Sequence, residues 1–381
     1  MKIIQTGDLH IGKALYEFSL LEDQSYILKQ ILEICEKEEA DALLITGDLY
    51  DRGIPPGEAV RVFNDFLTNL VKIGVEVYII SGNHDSPERI SFAQELIKES
   101  GVYIAGEFEK EVTKISKEDV YGKINFYLLP FAKPAWMRHY GYEGSSFQEC
   151  VKKVMDQIEI EEKERNVLIT HHFVAGVDVK IEESESEYPI SVGGLDYIDY
   201  HVFDKFDYTA LGHIHRPQKV ALNKIRYGGS PLKYSFSEAN QKKAVLLINL
   251  EEKGNLSIRE IPLVPKRDVR VIKGELQELI KDEVVSLTNK EDYLQVTLTD
   301  QNEMIDPLGR LRSVYPNVCQ LILQKNIRHE GELTSMAKER TCRSPLEIFE
   351  EFYEKVTDVK LDGKRREAMI EVIEKAGGRE D

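Results

Sequence analysis

Aspartate, asparagine and histidine recur in five short clusters: Gly7-Asp8-Leu9-His10, Gly47-Asp48, Gly82-Asn83-His84-Asp85, His171-His172 and Gly212-His213-Ile214-His215. Carboxylate, amide and imidazole without thiolate are donors suited to manganese or iron rather than to a soft metal. The clusters hold enough of them for two cations. In extended backbone, residues two apart point to one side, so Asp8 with His10, and His213 with His215, form matched pairs. His171 and His172 are adjacent and point to opposite sides, so only one of them can serve the same centre. Glycine precedes Asp8, Asp48, Asn83 and His213, which permits a sharp turn and a close backbone approach. One Gly-Asp is an ordinary turn. Five such clusters, each placed where an apolar run ends, point to a metal centre.

The elements that must position them read as β-α units. Ile3-Ile4 leads into Gly7-Asp8, and Glu22 to Glu39 carries apolar residues at helical spacing (Tyr26, Ile27, Ile31, Ile34, Cys35). Ala42 to Thr46 is a short buried strand ending at Gly47-Asp48. A second helix opens at Pro55-Pro56-Gly57-Glu58, proline being tolerated in a first turn. Val75 to Ile80 is a third strand, ending at Gly82-Asn83-His84-Asp85, and Ser86-Pro87-Glu88 starts a third helix. Such alternation predicts a sheet of parallel strands covered by helices, with ligands gathered at the strands' carboxyl ends. Farther on, 124–129, 167–170, 208–211, 224–227, 244–250 and 256–261 read as strands, several joined by short turns. Two facing sheets with helices outside accommodate both halves.

A break at Pro262-Leu263-Val264-Pro265-Lys266-Arg267 marks a domain boundary. Beyond it a small α+β segment is predicted: strand, helix (274–281), strand (293–298), helix (307–314) and strand (318–323). After Asn326 the chain turns polar. Ser344-Pro345-Leu346-Glu347 then starts a helix with Phe349, Phe352, Tyr353 and Val356 on one face, and a charged helix follows over about 363–375. The acidic run Glu182 to Glu187 reads as a solvated surface loop.

The 381 residues, 42% of them apolar, suffice for one large domain and one or two smaller units. The formal charge of −17 argues against binding polyanions through the overall field, so attraction to nucleic acid must be local. Cys35, Cys150, Cys319 and Cys342 are far apart and form no C-x-x-C pair, which suggests reduced thiols in a cytoplasmic protein. No run approaches the ~20 apolar residues of a membrane span, and the first cluster leaves no place for a cleavable signal peptide.

In this order, D-x-H, G-D, G-N-H-D, H and G-H-x-H resemble the calcineurin-like metallophosphoesterases. The stretches 47–56 (GDLYDRGIPP) and 227–238 (YGGSPLKYSFSE) resemble the SbcD branch of that superfamily, the nuclease subunits of bacterial SbcCD complexes. The likeness extends over essentially the whole chain and is most specific over residues 1–240. It implies an α/β fold: a two-sheet metallophosphoesterase sandwich flanked by helices, with a small α+β cap and C-terminal helices. The divisions would be 1–264 for the nuclease domain, 265–330 for a DNA-facing cap and 331–381 for a helical segment docking on the ATPase.

The resemblance implies two Mn²⁺, with Fe or Mg as possible substitutes. One cation would take Asp8, His10, His215 and the bridging carboxylate of Asp48; the other would take Asp48, Asn83, His171 and His213. His171 is favoured over His172 because relatives commonly carry histidine there followed by glutamine. Two cations ~3.5–4 Å apart clamp a phosphodiester, offset its charge and acidify a water for in-line attack. His84 would protonate the leaving oxygen or stabilise the transition state, and Asp85 would orient its ring. His139 and His201 lack metal-like spacing. Trp136, Arg138, Tyr140 and Tyr142 admit two readings, DNA contact or a loop packed on its own aromatics.

The family then implies an ATP-gated 3′–5′ exonuclease on duplex DNA and an endonuclease on single strands or hairpins, serving repair, recombination and replication. It implies a homodimer partnered by the SMC-like ATPase SbcC, with no membrane. The same metals would also serve a phosphatase or small-molecule phosphodiesterase, and a scaffold that has lost its metals is the third reading. The cap, the terminal helices and the SbcD-like stretches disfavour the second, and the intact donor set disfavours the third.

Overall fold

Apolar runs of four or five residues alternate with amphipathic helices through the first hundred residues, and the structure arranges them as a parallel sheet. A computed structural model describes residues 1–324 apart from 178, 188–196, 301 and 303, together with 349–350, 353–354, 361–366 and 368–369. Strands Lys2–Thr6, Ala42–Ile45, Glu76–Ile80 and Val102–Ala105 run parallel, Ile4 opposite Leu43 and Leu43 opposite Val77. Ala244–Leu250 and Leu256–Pro262 extend this sheet antiparallel beyond Lys2–Thr6. Ala42–Ile45 is buried at every position, as a strand covered on both faces must be.

The second six-stranded sheet has the order Gln218–Val220, Leu222–Tyr227, Tyr208–Leu211, Arg165–Thr170, Gly122–Leu129, Thr113–Asp119. Its four inner strands are parallel and its two edges antiparallel. The sheets face one another across a core that includes Ile3, Leu44, Tyr78, Phe126, Ile169, Tyr208 and Ile248. Phe126 stacks on Tyr78 with ring centroids 4.1 Å apart.

Helices cover the outer faces. Leu21–Lys37 buries Ile27, Leu28, Ile31 and Cys35, with Glu22 and Asp23 in its first turn and Lys37 in its last, where the helix dipole favours them. Gly57–Lys72 buries Ala59, Phe63, Phe66 and Leu70, a three- and four-residue spacing. On the other sheet, Phe147–Gln157 presents Cys150, Val151, Val154 and Met155.

Beyond Leu263, Val269–Gly274, Tyr293–Leu298 and Val318–Leu323 form a parallel three-stranded sheet with its own core around Leu276, Leu294, Val296, Leu311 and Tyr315. Its base is tied to the first helix: Arg267 donates to both Asp23 oxygens at 3.0 and 2.6 Å, and Tyr293 Oη donates to Asp23 at 2.9 Å.

Two predicted helices are shorter than expected. The one begun at Ser86-Pro87-Glu88 ends at Ile90, and at Ala93 the backbone turns left-handed with φ +61°. The segment 274–281 holds a single turn, Leu276–Leu279, followed by Asp282–Val285. The chain divides into two units, Met1–Leu323 and Gln324–Asp381. Within the second, the rings of Phe349 and Tyr353 lie 6.2 Å apart, while Ser344, Phe352, Val356 and most of the predicted terminal helices fall outside the described residues.

Phe126 is fully buried between the sheets. Phe126→Ala therefore lowers stability by about 3–5 kcal/mol in urea unfolding; a loss below ~1 kcal/mol would contradict a close-packed inter-sheet core.

Candidate metal centre

Every cluster follows the carboxyl end of a parallel strand: Thr6 leads to Asp8, Ile45 to Asp48, Ile80 to Asn83, Thr170 to His171 and Leu211 to His213. The two sheets are stitched at that end. Thr46 Oγ1 donates within reach of the Thr6 and Leu211 carbonyls, both at 3.3 Å, and buried Gln5 Nε2 donates to Leu211 O at 3.2 Å. Glycine is required where the loops meet: a Cβ on Gly212 would overlap the Thr46 carbonyl, and one on Gly82 the Asp48 carboxylate. Asp8, His10, Asp48 and His213 all adopt positive φ (+50°, +43°, +49° and +86°). Such conformations cost non-glycine residues on the order of 1 kcal/mol or more and cluster at functional sites.

All seven predicted donors come together. His10 Nε2 and His215 Nε2 face each other at 3.2 Å, and Asp8 shares their cluster. His171 Nε2 lies 3.0 Å from Asn83 Oδ1 and 3.2 Å from Asp48 Oδ2, and His213 Nδ1 lies 3.2 Å from Asn83 Oδ1. Asp48 Oδ2 is also 3.7 Å from His10 Nε2, so one oxygen stands between the two groups. Except for half-buried Asn83, these residues are at most 5% exposed.

Do these residues fit cations? Asp8 Oδ2 and His10 Nδ1 are buried without any hydrogen-bond partner. Ligand atoms ~2.1 Å from a cation and at right angles to one another lie ~3 Å apart, the spacing seen between these donor atoms. An orphaned carboxylate oxygen and converging imidazoles with no thiolate suit a pair of divalent ions. Without them, burial and the Asp48 charge drive the Asp8 carboxyl well above its usual range. Burial alone would depress His171, but Asp48 and Asp8 lift it to about 9. Asp48 is held low, because the attraction of His171 and His10 overrides the penalty of burial.

His172 is turned as its adjacency to His171 implies, and the neighbouring residues part from the sequence reading in two other places, Asp85 and the acidic run. His172 points away, its Nδ1 2.9 Å from Thr170 Oγ1 among Phe131 and Phe147, and burial pushes it down to about 4. Asp85 does not orient the His84 ring. Its carboxylate accepts N–H bonds from Leu49 (3.1 Å), Tyr50 (3.1 Å) and Gly82 (2.9 Å), pinning the Asp48 and Asn83 loops together. Burial, with the charge of Asp48, raises it to about 6. The His84 ring rests instead on a carbonyl, Nδ1 lying 3.1 Å from Asp51 O, while the backbone N–H of His84 donates to Asp48 Oδ1 at 2.9 Å.

The second departure is the acidic run, which is not solvated throughout. Glu187 Oε1 accepts from His215 N at 2.7 Å, and Ser186 Oγ lies 2.8 Å from His215 Nδ1. Burial raises the Glu187 carboxyl to about 7.

Other supports were not visible in the sequence. Glu238, fully buried, accepts from Ser186 Oγ and Lys243 Nζ, both at 2.5 Å, and lies 3.6 Å from His215 Nδ1. Burial would raise its carboxyl, yet Lys243 and His215 hold it well below the usual range. Lys243 Nζ also donates to His215 O at 2.8 Å, so both ends of that ligand are fixed. Gln24, on the first helix, donates to His10 O at 2.7 Å and accepts from Gly12 N at 2.9 Å. Carboxylates behind metal-binding histidines set ring orientation and basicity.

His201 is exposed and paired with Asp204 at 2.9 Å, and His139 is exposed, both away from the donors. Tyr142 is buried, its hydroxyl bonded to Lys110 O, whereas Trp136 and Tyr140 are 47% and 39% exposed.

The family profile described as calcineurin-like phosphoesterase matches residues 1–217, more than half of the chain, which therefore belongs to that family. It is a metal-dependent hydrolase of phosphoester bonds, with a two-sheet α/β fold. A second profile, SbcD_C, described as type 5 capsule protein repressor C-terminal domain, matches residues 265–357. Among solved structures, a dimetal phosphatase from Danio rerio is similar at 10% identity and TM-score 0.41, covering 70% of this chain and 98% of its own. The protein TT1561 of Thermus thermophilus is similar at 12% identity and TM-score 0.40, covering 68% and 98%.

Protonated His171 and Asp8 must release protons before they ligate. Cation affinity should therefore fall as pH is lowered below about 9, and uptake at neutral pH should release protons. Calorimetry in buffers of different ionisation heat should give buffer-dependent enthalpies; identical heats would contradict this account.

Proposed function

We propose that the protein is a Mn²⁺-dependent DNA nuclease that works with an SMC-like ATPase of the SbcC type. The observation that carries the reading is the pairing, in one chain, of a converging two-cation donor set with the SbcD_C match at 265–357. Asp8, His10 and His215 would hold one ion and Asn83, His171 and His213 the other, with Asp48, which stands between the two groups, contributing to both. Bound there, two cations supply charge neutralisation for a phosphodiester and a water acidic enough to attack near neutral pH.

The chain's own residues do the rest. Asp48 Oδ1 is engaged by the His84 N–H, which leaves Oδ2 turned toward the donors and fixes His84 beside them. With Nδ1 held on the Asp51 carbonyl, Nε2 of His84 is the atom that passes a proton to the leaving oxygen. Asp85 holds that loop to the Asp48 loop through two hydrogen bonds, from the Leu49 and Tyr50 N–H groups, and accepts a third from Gly82 within its own loop. Residues 265–330 would face the DNA, and 331–381 would dock on the ATPase in a homodimeric assembly. The paired phenyl and phenol rings of Phe349 and Tyr353 suit a helix-in-groove contact.

Asp48→Ala is expected to lose both cations and all cleavage. His84→Gln should keep its Mn²⁺ while turnover falls about 10²–10⁴-fold. Metal content and digestion of end-labelled duplex and hairpin DNA read both, with p-nitrophenyl phosphate as a parallel substrate. Hydrolysis of the monoester with intact DNA would sink the nuclease reading, and near-wild-type turnover in His84→Gln would remove it from the chemistry.

A further inference from the structure

A cavity of ≈ 670 Å³ opens directly beside the donor set, with Asn83 and His84 in its lining. Phe131 and Phe147 line it, their rings 5.8 Å apart and tilted by 38°. Phe131 is pinned to the donor loop, its N–H donating to Ser81 O at 3.0 Å, and its ring meets His171 edge-on at 6.3 Å. Phe147 opens the helix Phe147–Gln157, whose first turn is capped by Ser146. An aromatic wall is thus rigidly placed next to the metal centre. The lining also carries two exposed cations, Lys133 and Arg138, and Arg138 is steadied by one bond to Gly144 O at 2.9 Å. Neither cation is paired with a carboxylate among the described residues. In a chain of net charge −17, such cations beside a phosphoester-cleaving centre are a local exception.

We propose that this cavity receives one unpaired nucleotide of the bound strand, its base against Phe147 and Phe131 and its phosphate against Lys133 and Arg138, while the adjoining phosphate lies at the donor cluster. The inference rests on the nuclease reading and adds to it a subsite that requires the base to be unpaired. The volume lies in the range of small-ligand sites, and base–aromatic stacking with cations along the backbone is how unpaired strands are held without sequence preference. A base still stacked in a duplex cannot reach such a wall, so a paired strand must open locally before its phosphate reaches the metals.

The test uses full-length protein with Mn²⁺ and compares a labelled single-stranded oligonucleotide with p-nitrophenyl methyl phosphate, a diester too small to span the cavity. In Phe147→Ala and in the Lys133→Ala/Arg138→Ala pair, kcat/KM for the oligonucleotide is expected to fall at least about tenfold relative to that for the small diester. An abasic position moved along the oligonucleotide should depress wild-type cleavage at one place beside the cut, and Phe147→Ala should be insensitive to it. Equal losses on both substrates, no loss on either, or an abasic effect unchanged in Phe147→Ala would overturn the subsite while leaving the nuclease reading intact. Wild-type protein that hydrolyses the small diester but leaves every oligonucleotide whole would overturn both.

Discussion

Two carboxylates and four imidazoles are buried within a few ångströms of one another, and the rest of the molecule answers to that constraint. Asp8 and Asp48 are almost wholly shielded from water, and their carboxyl groups stand with His10, His171, His213 and His215 around a common centre. Burying ionised groups is expensive unless they are paired or bind metal. The protein's own charges balance the site only in part: a proton on His171 steadies Asp48, but Asp8 Oδ2 is left without a hydrogen bond. A divalent pair removes the imbalance, which is why a donor set so costly in protein alone is intelligible as a metal centre.

Holding the donors there explains features with no evident value elsewhere. Strand ends from two different sheets must meet, and Gln5 and Thr46 lock them through carbonyls that packing alone would not align. Side-chain-free residues are needed at Gly82 and Gly212, where any Cβ would strike the opposite loop. Behind His215 lies a buried ion pair, Glu238 with Lys243, joined to half-buried Ser186 and Glu187. A ligand so fixed on ring and backbone cannot turn away when the centre is empty, which makes the site preorganised.

Much of this was legible because the same short-range rules act in sequence and in space. Apolar runs such as Ala42–Ile45 and Glu76–Ile80 end in glycine and a donor, and parallel strands bring their carboxyl ends to one rim. What escaped has physical reasons. Thr113–Asp119 is an edge strand with one face in water, so its residues are mostly polar and carry little apolar signal. The helix Phe147–Gln157 follows a turn-rich stretch, and its apolar face is confined to Phe147, Cys150, Val151, Val154 and Met155 among polar residues. Asp85 sits next to His84 in sequence, yet it serves backbone amides of another loop, a role that adjacency cannot predict. Glu187 and Glu238 lie far along the chain from the ligand cluster of Asp8, and only the closed fold places them against His215.

The central claim is that these donors hold two cations at once, shared through Asp48. Crystals equilibrated with Mn²⁺ and measured at the manganese absorption edge test it directly. The account predicts two anomalous peaks per chain roughly 3.5–4 Å apart, with an Asp48 oxygen between them. A single peak, or two peaks of which neither touches Asp48, would contradict it.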